Sequence, residues 1–513
     1  MTTFASALAD LRPDEVAVRD PDAALGWADV DIVLTRLVNQ LSRSVDLGPA
    51  RRIAVFAENA VETALAHLGG LLAGASTVPV NFHLTPDEAA YILEDSDARV
   101  VFVGPETAER GVHAARQAGI SLVVGWGCGG VDGVVDWTTW VAAGSDEAPS
   151  VEVEPRPPLL YTSGTTGRPK ATELPPAAFA GGATVTEHLE ALKKHRMAVL
   201  GTHLMVGPMY HTGPLSGVRV LAAGVPVVIL KRFDAEATLA AIDEYGIESS
   251  VMVPTHFVRL LALPDEVKAR YDVSSLRSVN HTGSTCPVKV KRAMIDWWGP
   301  VLREAYGATE VGSTCSIDSH EWLRHPGSVG RALPPFTALV LDDDGLNVPP
   351  GTEGRLFFRD NTGRGIVYAN DPLKTAEANI APGLFTLGEI GYMNAEGYVY
   401  ITDRFSDMVV SGGANIYPAE AEQTLMQHPA VSDVACIGVP HAEMGEVLKA
   451  LVIPVDPVAA PPAADLVAWC RQRLTPYKCP RTLDYVDTLG RTAMGKVNKR
   501  VLRAPYWTAA SEE

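Results

Sequence analysis

From Arg52 to about residue 126, short apolar runs alternate with stretches of helical periodicity. IAVFAEN gives way to AVETALAHLGGLLAGA, then STVPVN, PDEAAYILEDSD, RVVFVG, AERGVHAARQAG and ISLVVGW. The alternation resumes further on with VPVVIL, DAEATLAAIDEYG, ESSVMVP, HFVRLLALPDEVKARY, LRSVNHTG and CPVKVKRAMIDWW. Such a pattern predicts an α/β fold of mostly parallel sheets covered by helices. Residues 335–402 read differently. TALVLDDDGLNVPPGTEGRLFFRD sets turn residues between short β-rich runs, which predicts antiparallel hairpins and a small β-rich subdomain. Near residue 403 the texture changes again. Pro418 stands in the first turn of a new helix, with Glu420 and Glu422 near its positive end. Strands VACIGV and LKALVIPV, helix ADLVAWCRQRL and strand TLDYVD follow, the makings of a small α+β domain. The expected division is a large domain over 1–403 and a small one over 404–513, with no repeat of fixed period.

A chain of 513 residues exceeds what one hydrophobic core normally supports, which agrees with several domains. Its formal charge of −18 argues against general nucleic-acid binding, since phosphates need clustered cations. Cys128, Cys286, Cys315, Cys436, Cys470 and Cys479 form no C-x-x-C pair and no zinc spacing, so reduced thiols in a cytoplasmic protein are expected. The beginning MTTFASALADLRPDEV lacks a basic segment ahead of an apolar core and does not read as a signal peptide. The most apolar long run, LSGVRVLAAGVPVVIL, is broken by Arg219 and is too short for a bilayer, which takes about 20 residues.

One stretch has the wrong composition for packing. In LLYTSGTTGRPKATE (159–173), two leucines end a buried strand, and a run of hydroxyls and glycines then closes on a lysine. Gly164 and Gly167 let backbone N–H groups converge on an anion. Thr162, Ser163, Thr165 and Thr166 add hydroxyls, and Lys170 adds a point charge. It is not a Walker loop, because G-x-x-x-x-G-K-[ST] is absent. By itself the run is equally compatible with a mobile surface loop.

The company this loop keeps decides between the two. YTSGTTGRPK, YGATE (306–310), FTLGEIGYMNAEGYVYITDR (385–404), SGGANIYPAEAE (411–422) and GRTAMGKVNKR (490–500) occur in this order. Together they resemble the motifs of the acyl-adenylate-forming (AMP-binding) superfamily, above all its acyl-CoA synthetases and fatty-acid–CoA ligases. The resemblance covers nearly the whole chain. It implies that the first motif is a phosphate loop. Tyr306 would lie along adenine, a contact of roughly 1–3 kcal/mol. Gly307 would allow close approach, Thr309 would donate to the α-phosphate, and Glu310 would offer Mg²⁺ a hard oxygen ligand. Gly283 and Ser284, in HTGSTCP, match the strand end where adenine and acyl group meet. His211, in MYHTGPLSG, matches a segment bordering the acyl pocket, where it would gate the pocket or orient the carboxylate. Arg404 matches a ribose- and phosphate-contacting position, Ser406 a hinge, and Gly412-Gly413 a loop lining the tunnel for a pantetheine arm. Lys496 matches the lysine that swings in with the small domain to bridge the substrate carboxylate and an ATP phosphate.

Where the family usually shows Thr-Gly-Asp, this chain has Leu387-Gly388-Glu389. Glu389 still offers two oxygens to the ribose, one methylene further out. Ala171 replaces a common glycine and Gly490 a common proline. The resemblance implies a two-step ligase using ATP, Mg²⁺ and coenzyme A as co-substrate. A carboxylic acid becomes acyl-AMP with release of pyrophosphate, and the acyl group then passes to the CoA thiol. An amide synthetase taking an amine, a luciferase-like oxygenation and a non-catalytic nucleotide sensor are the alternatives. The acid itself and a possible homodimer are not legible, and the acyl pocket is expected from segments 205–217, 252–260 and 281–286.

Overall fold

The structure is a computed structural model. It describes residues 4–510 apart from 150–151, 163–168, 177, 195–198, 284–285, 287, 343, 405–408, 417, 491–496 and 498. Among the described residues the fold is of the expected class. The first alternating region forms a five-stranded sheet in which Arg52–Phe56 pairs in parallel with Ser76–Pro79 on one side and Ala98–Val103 on the other. These strands are apolar on both faces because helices cover both, as buried parallel sheets require. The helix Pro86–Asp95 begins with a capping box in which Thr85 and Glu88 satisfy each other's backbone donors.

A second, larger sheet carries the site. Six strands run parallel through it: Val16–Arg19, Val227–Ile229, His203–Met205, Ser249–Met252, Ser278–His281 and Leu302–Ala308. The direction then reverses at the hairpin between Leu302–Ala308 and Gly312–Asp318, and the antiparallel strands expected from 335–402 extend the sheet. In α/β sheets ligands bind beyond the carboxyl ends of parallel strands, so Val253, Gly283 and Thr309 stand where a site is expected.

The stretch Leu159–Thr162 pairs antiparallel with Lys170–Glu173, Thr162 opposite Lys170, so the hydroxyl-rich run joins two strands of a hairpin. Residues beyond 408 build their own sheet, in which Val431–His441 and Gly445–Pro454 are flanked by Val409–Ser411 and Thr482–Tyr485. A separate apolar cluster between Val409 and Cys479 lies under that sheet. The strand Val399–Arg404 belongs to the large sheet, and the hinge expected at Ser406 lies outside the described residues. The six cysteines are free, and among the described residues no helix is long and apolar enough to cross a membrane.

Candidate active site

At the strand ends, side chains from distant parts of the chain meet in pairs. Thr162, the last described residue before the loop, donates its hydroxyl to Glu310 Oε1 at 2.9 Å. Arg364 Nη1 donates to the Glu310 backbone carbonyl at 3.3 Å. Thr309 Oγ1 lies 3.3 Å from Thr212 Oγ1, on the helix Thr212–Ala222. This puts the first hydroxyl of the loop, the acidic end of YGATE and the start of that helix around one point. Gly307 is required by packing, since a Cβ there would stand 1.9 Å from the Gly312 carbonyl oxygen.

Tyr306 and Glu389, assigned to separate parts of a nucleotide, touch each other. The tyrosine hydroxyl donates to Glu389 Oε2 at 2.7 Å, and Glu389 is only 5% exposed. The extra methylene of glutamate fits this reach from its strand. The backbone of Arg404 pairs opposite Glu389.

Lys170 is half-buried with its ammonium 4.9 Å from the centre of the Tyr368 ring. Burial, helped by nearby Lys374, lowers its pKa, while Glu310 works in the opposite sense. His211 caps the helix Thr212–Ala222 and lies 4.4 Å from the Tyr210 ring. The residue is exposed at its surface, and the protein packed around it, with the charge of His83, lowers its pKa, so it is neutral near pH 7.

The small domain reaches the same cleft. Gly412 and Gly413 form a turn with φ of 56° and 82° between the strands Val409–Ser411 and Ala414–Ile416. A Cβ on Gly413 would stand 3.2 Å from Val253 Cγ1, and one on Gly283 would stand 4.0 Å from the Gly413 carbonyl oxygen. Gly213, next to Thr212, lies against Thr282 in turn. A continuous path therefore runs from Thr309 through Thr212, Gly213 and Thr282 to Gly283 and Gly413. Polar contacts hold the small domain in place: Lys478 bridges Glu88 (3.1 Å) and Glu420 (2.7 Å), Arg259 pairs with Glu443 (2.7 Å), and Asn81 donates to the Tyr477 hydroxyl.

Among the described residues no group of three or more His, Cys, Asp or Glu side chains could hold a metal. Glu310 offers one carboxylate, which fits Mg²⁺, an ion usually held by one or two carboxylates with substrate phosphates and water. Ser163, Gly164, Thr165, Thr166, Gly167, Ser284 and Lys496 lie outside the described residues. Sequence reasoning missed Thr212, Arg364 and the mutual bond of Tyr306 with Glu389, contacts that only the tertiary arrangement creates.

A cavity adjoins this site. A narrow, mostly apolar space with room for little more than a water or two lies between the helices Val61–Leu72 and Thr212–Ala222 and the strand Leu159–Thr162, with Thr212 in its wall. Of the segments expected to form the acyl pocket, only 212–217 reaches it. The other walls come from residues 67–77, 156–160 and 174–179, which no local pattern connects to the helix.

Residues 6–365 match the AMP-binding enzyme family, and residues 420–496 match the AMP-binding enzyme C-terminal domain. The chain is 32% identical over 508 residues to an indoleacetate–CoA ligase from Aromatoleum aromaticum, covering 96% of both. It is 33% identical over 508 residues to a feruloyl-CoA synthase from Amycolatopsis, covering 97% of both. Among solved structures, an amide bond synthetase from Marinactinospora thermotolerans aligns with a TM-score of 0.82 at 24% identity, over 99% of this chain and 100% of that one, a likeness of fold.

Proposed function

The chain belongs to the AMP-binding enzyme family and acts as an AMP-forming acid–thiol ligase, and we propose that it does so by bringing two domains in turn to the strand ends described above. In the first half-reaction a carboxylate oxygen attacks the α-phosphorus of ATP, and the bond to pyrophosphate breaks. Phosphoryl transfer asks mainly for positioning and charge neutralisation. The run 162–170 and Lys170 are assigned to the phosphates, Thr309 to the α-phosphate, and Tyr306, Glu389 and Arg404 to adenosine. Glu310, fixed by Thr162 and Arg364, would hold Mg²⁺, which supplies charge neutralisation at the phosphates when bound. Lys496 is assigned to the bridge between carboxylate and phosphate, and neutral His211 to orienting the carboxylate.

In the second half-reaction the CoA sulfur attacks the acyl carbon, AMP leaves with the bonding electrons, and the thiol proton goes to solvent. Gly283, Gly412 and Gly413 are assigned to the passage for the pantetheine arm, where a side chain would obstruct it. The observation that carries this reading is the small-domain turn lying against Val253 and Gly283, one step along the wall from Thr212 and Thr309. The small domain then covers residues 404–513 and alternates between presenting this turn and presenting Lys496. The test is pyrophosphate release across aliphatic, aromatic and polycyclic acids, with CoA or amines supplied separately. Acid-dependent release followed by CoA-dependent consumption of acyl-AMP is expected. Turnover with amines alone would replace the thiol acceptor.

A further inference from the structure

Lys478 of the small domain divides its ammonium between the two domains. It ends the short turn Pro476–Lys478, with its side chain 6% exposed. One carboxylate it meets, Glu420, belongs to the small domain, and the other, Glu88, is 18% exposed and belongs to the large one. Another pair across the same boundary, Arg259 with Glu443, is 41% and 50% exposed. An exposed ion pair contributes little, whereas one shielded from water is felt strongly when a partner is removed.

Glu88 is a fixed point on the large domain. Its Oε2 accepts from the backbone N–H and the hydroxyl of Thr85, which leaves Oε1 to Lys478. Further along the same helix, Tyr91 donates to the Pro169 carbonyl at 3.3 Å, and Asp95 accepts from the Tyr161 hydroxyl at 2.6 Å. Residues 88, 91 and 95 share one helix face. Tyr161 precedes Thr162, and Pro169 precedes Lys170, the pair that closes the hydroxyl-rich run. The carboxylate that receives the small domain is therefore tied to the hairpin assigned to the phosphates.

In this position the Gly412-Gly413 turn faces Val253 and Gly283. Rotation of the small domain would carry Lys478 and Glu420 away together and leave Glu88 behind. A contact made in only one of two positions shifts the balance between them by its own free energy. We propose that Lys478 and Glu88 are positioning residues that hold the Gly412-Gly413 turn at Gly283, and so set the share of the enzyme ready to form the thioester. The inference rests on the two-step ligase reading above and adds what balances its two positions.

Glu88→Gln tests it, because glutamine keeps the capping box of the helix while losing the charge. Lys478→Met is the poorer variant: it leaves Glu420 buried without its cation, and Glu420 Oε1 already lacks a partner among the described residues. Both half-reactions are measured on the full chain, with the acid that releases most pyrophosphate in a broad screen. Exchange between ATP and pyrophosphate reports the first, and conversion of the synthetic acyl-AMP of that acid to its CoA thioester reports the second. In Glu88→Gln the ratio of the second rate to the first should fall by about 10-fold, as expected for a weakened charge-assisted hydrogen bond, with exchange unchanged or faster. Glu443→Gln, at the exposed pair, should move that ratio by no more than about 2-fold. An unchanged ratio in Glu88→Gln overturns the inference, as does equal slowing of both half-reactions or an equal shift in Glu443→Gln. Absence of pyrophosphate release with every acid of the screen would instead remove the ligase reading itself.

Discussion

The two ends of the site are built on opposite terms. At the end proposed for the nucleotide the side chains hold one another: Thr162 on Glu310, Tyr306 on Glu389, Thr309 beside Thr212. Seven residues along the helix from Thr212, Arg219 donates to the Ala178 carbonyl and has no carboxylate partner, and His67 Nδ1 has no hydrogen-bond partner, among the described residues. The first end can be set before anything binds, which suits a ligand that never varies. The second region relies on one backbone carbonyl and on apolar packing. Preorganised donors contribute most where charge develops, so changes at the paired end should lower the rate for every acid.

The largest effect should come from Glu310→Ala, which removes the carboxylate that Thr162 keeps in place. Pyrophosphate release should fall by about 10²–10³-fold with every acid, as measured in a coupled assay at saturating ATP. A loss restricted to some acids would break the contrast between the ends. Tyr306→Phe deletes one hydroxyl bonded to a carboxylate and should weaken ATP use by about 10-fold, read mainly in the KM for ATP. An unchanged KM would mean that the bond to Glu389 does not position the ring.

Gly413→Ala forces a side chain into left-handed backbone, at about 1–2 kcal/mol, and against Val253. It should slow thioester formation several-fold while leaving acyl-AMP formation near wild type, a split that single-turnover measurements resolve. Equal slowing of both steps would detach the turn from the second half-reaction.

The smallest effect concerns pH. Burial lowers His67 to about 3 and His203 to about 4, against a reference value of 6.5. Below pH 6.5 the unfolded chain takes up protons that the folded chain refuses, so stability falls as pH drops and levels off near the folded values. Each group adds a slope of at most ~1.4 kcal/mol per pH unit. Thermal melts between pH 7 and 4 should show the decline, and His67→Gln should make it shallower.

Much of this molecule could be read in its sequence, but unevenly. The alternation of apolar runs foretold the parallel sheets, and the turn-rich stretch after 335 foretold the antiparallel strands. Both signals are local, set by periodicity and turn chemistry. The encounter of Thr162 with Glu310 followed from motif order, although 148 residues separate them. The cavity was not legible, because its walls depend on how the helix Val61–Leu72 faces the helix Thr212–Ala222, which no local pattern encodes. Arg219 left a trace nonetheless. A lone cation inside an apolar run marks the end of a possible membrane span and, equally, a charge that the fold must accommodate. The bridge from Lys478 to Glu88 had no trace, since a buried lysine and a surface lysine read alike.

In the proposed alternation Lys496 serves the first half-reaction and the Gly412-Gly413 turn the second. Measuring both half-reactions on Lys496→Ala tests it most directly. Carboxylate-dependent exchange between ATP and pyrophosphate should disappear, while supplied acyl-AMP is still converted to the CoA thioester at close to the wild-type rate. Equal loss of the two half-reactions, or undiminished exchange, would contradict it.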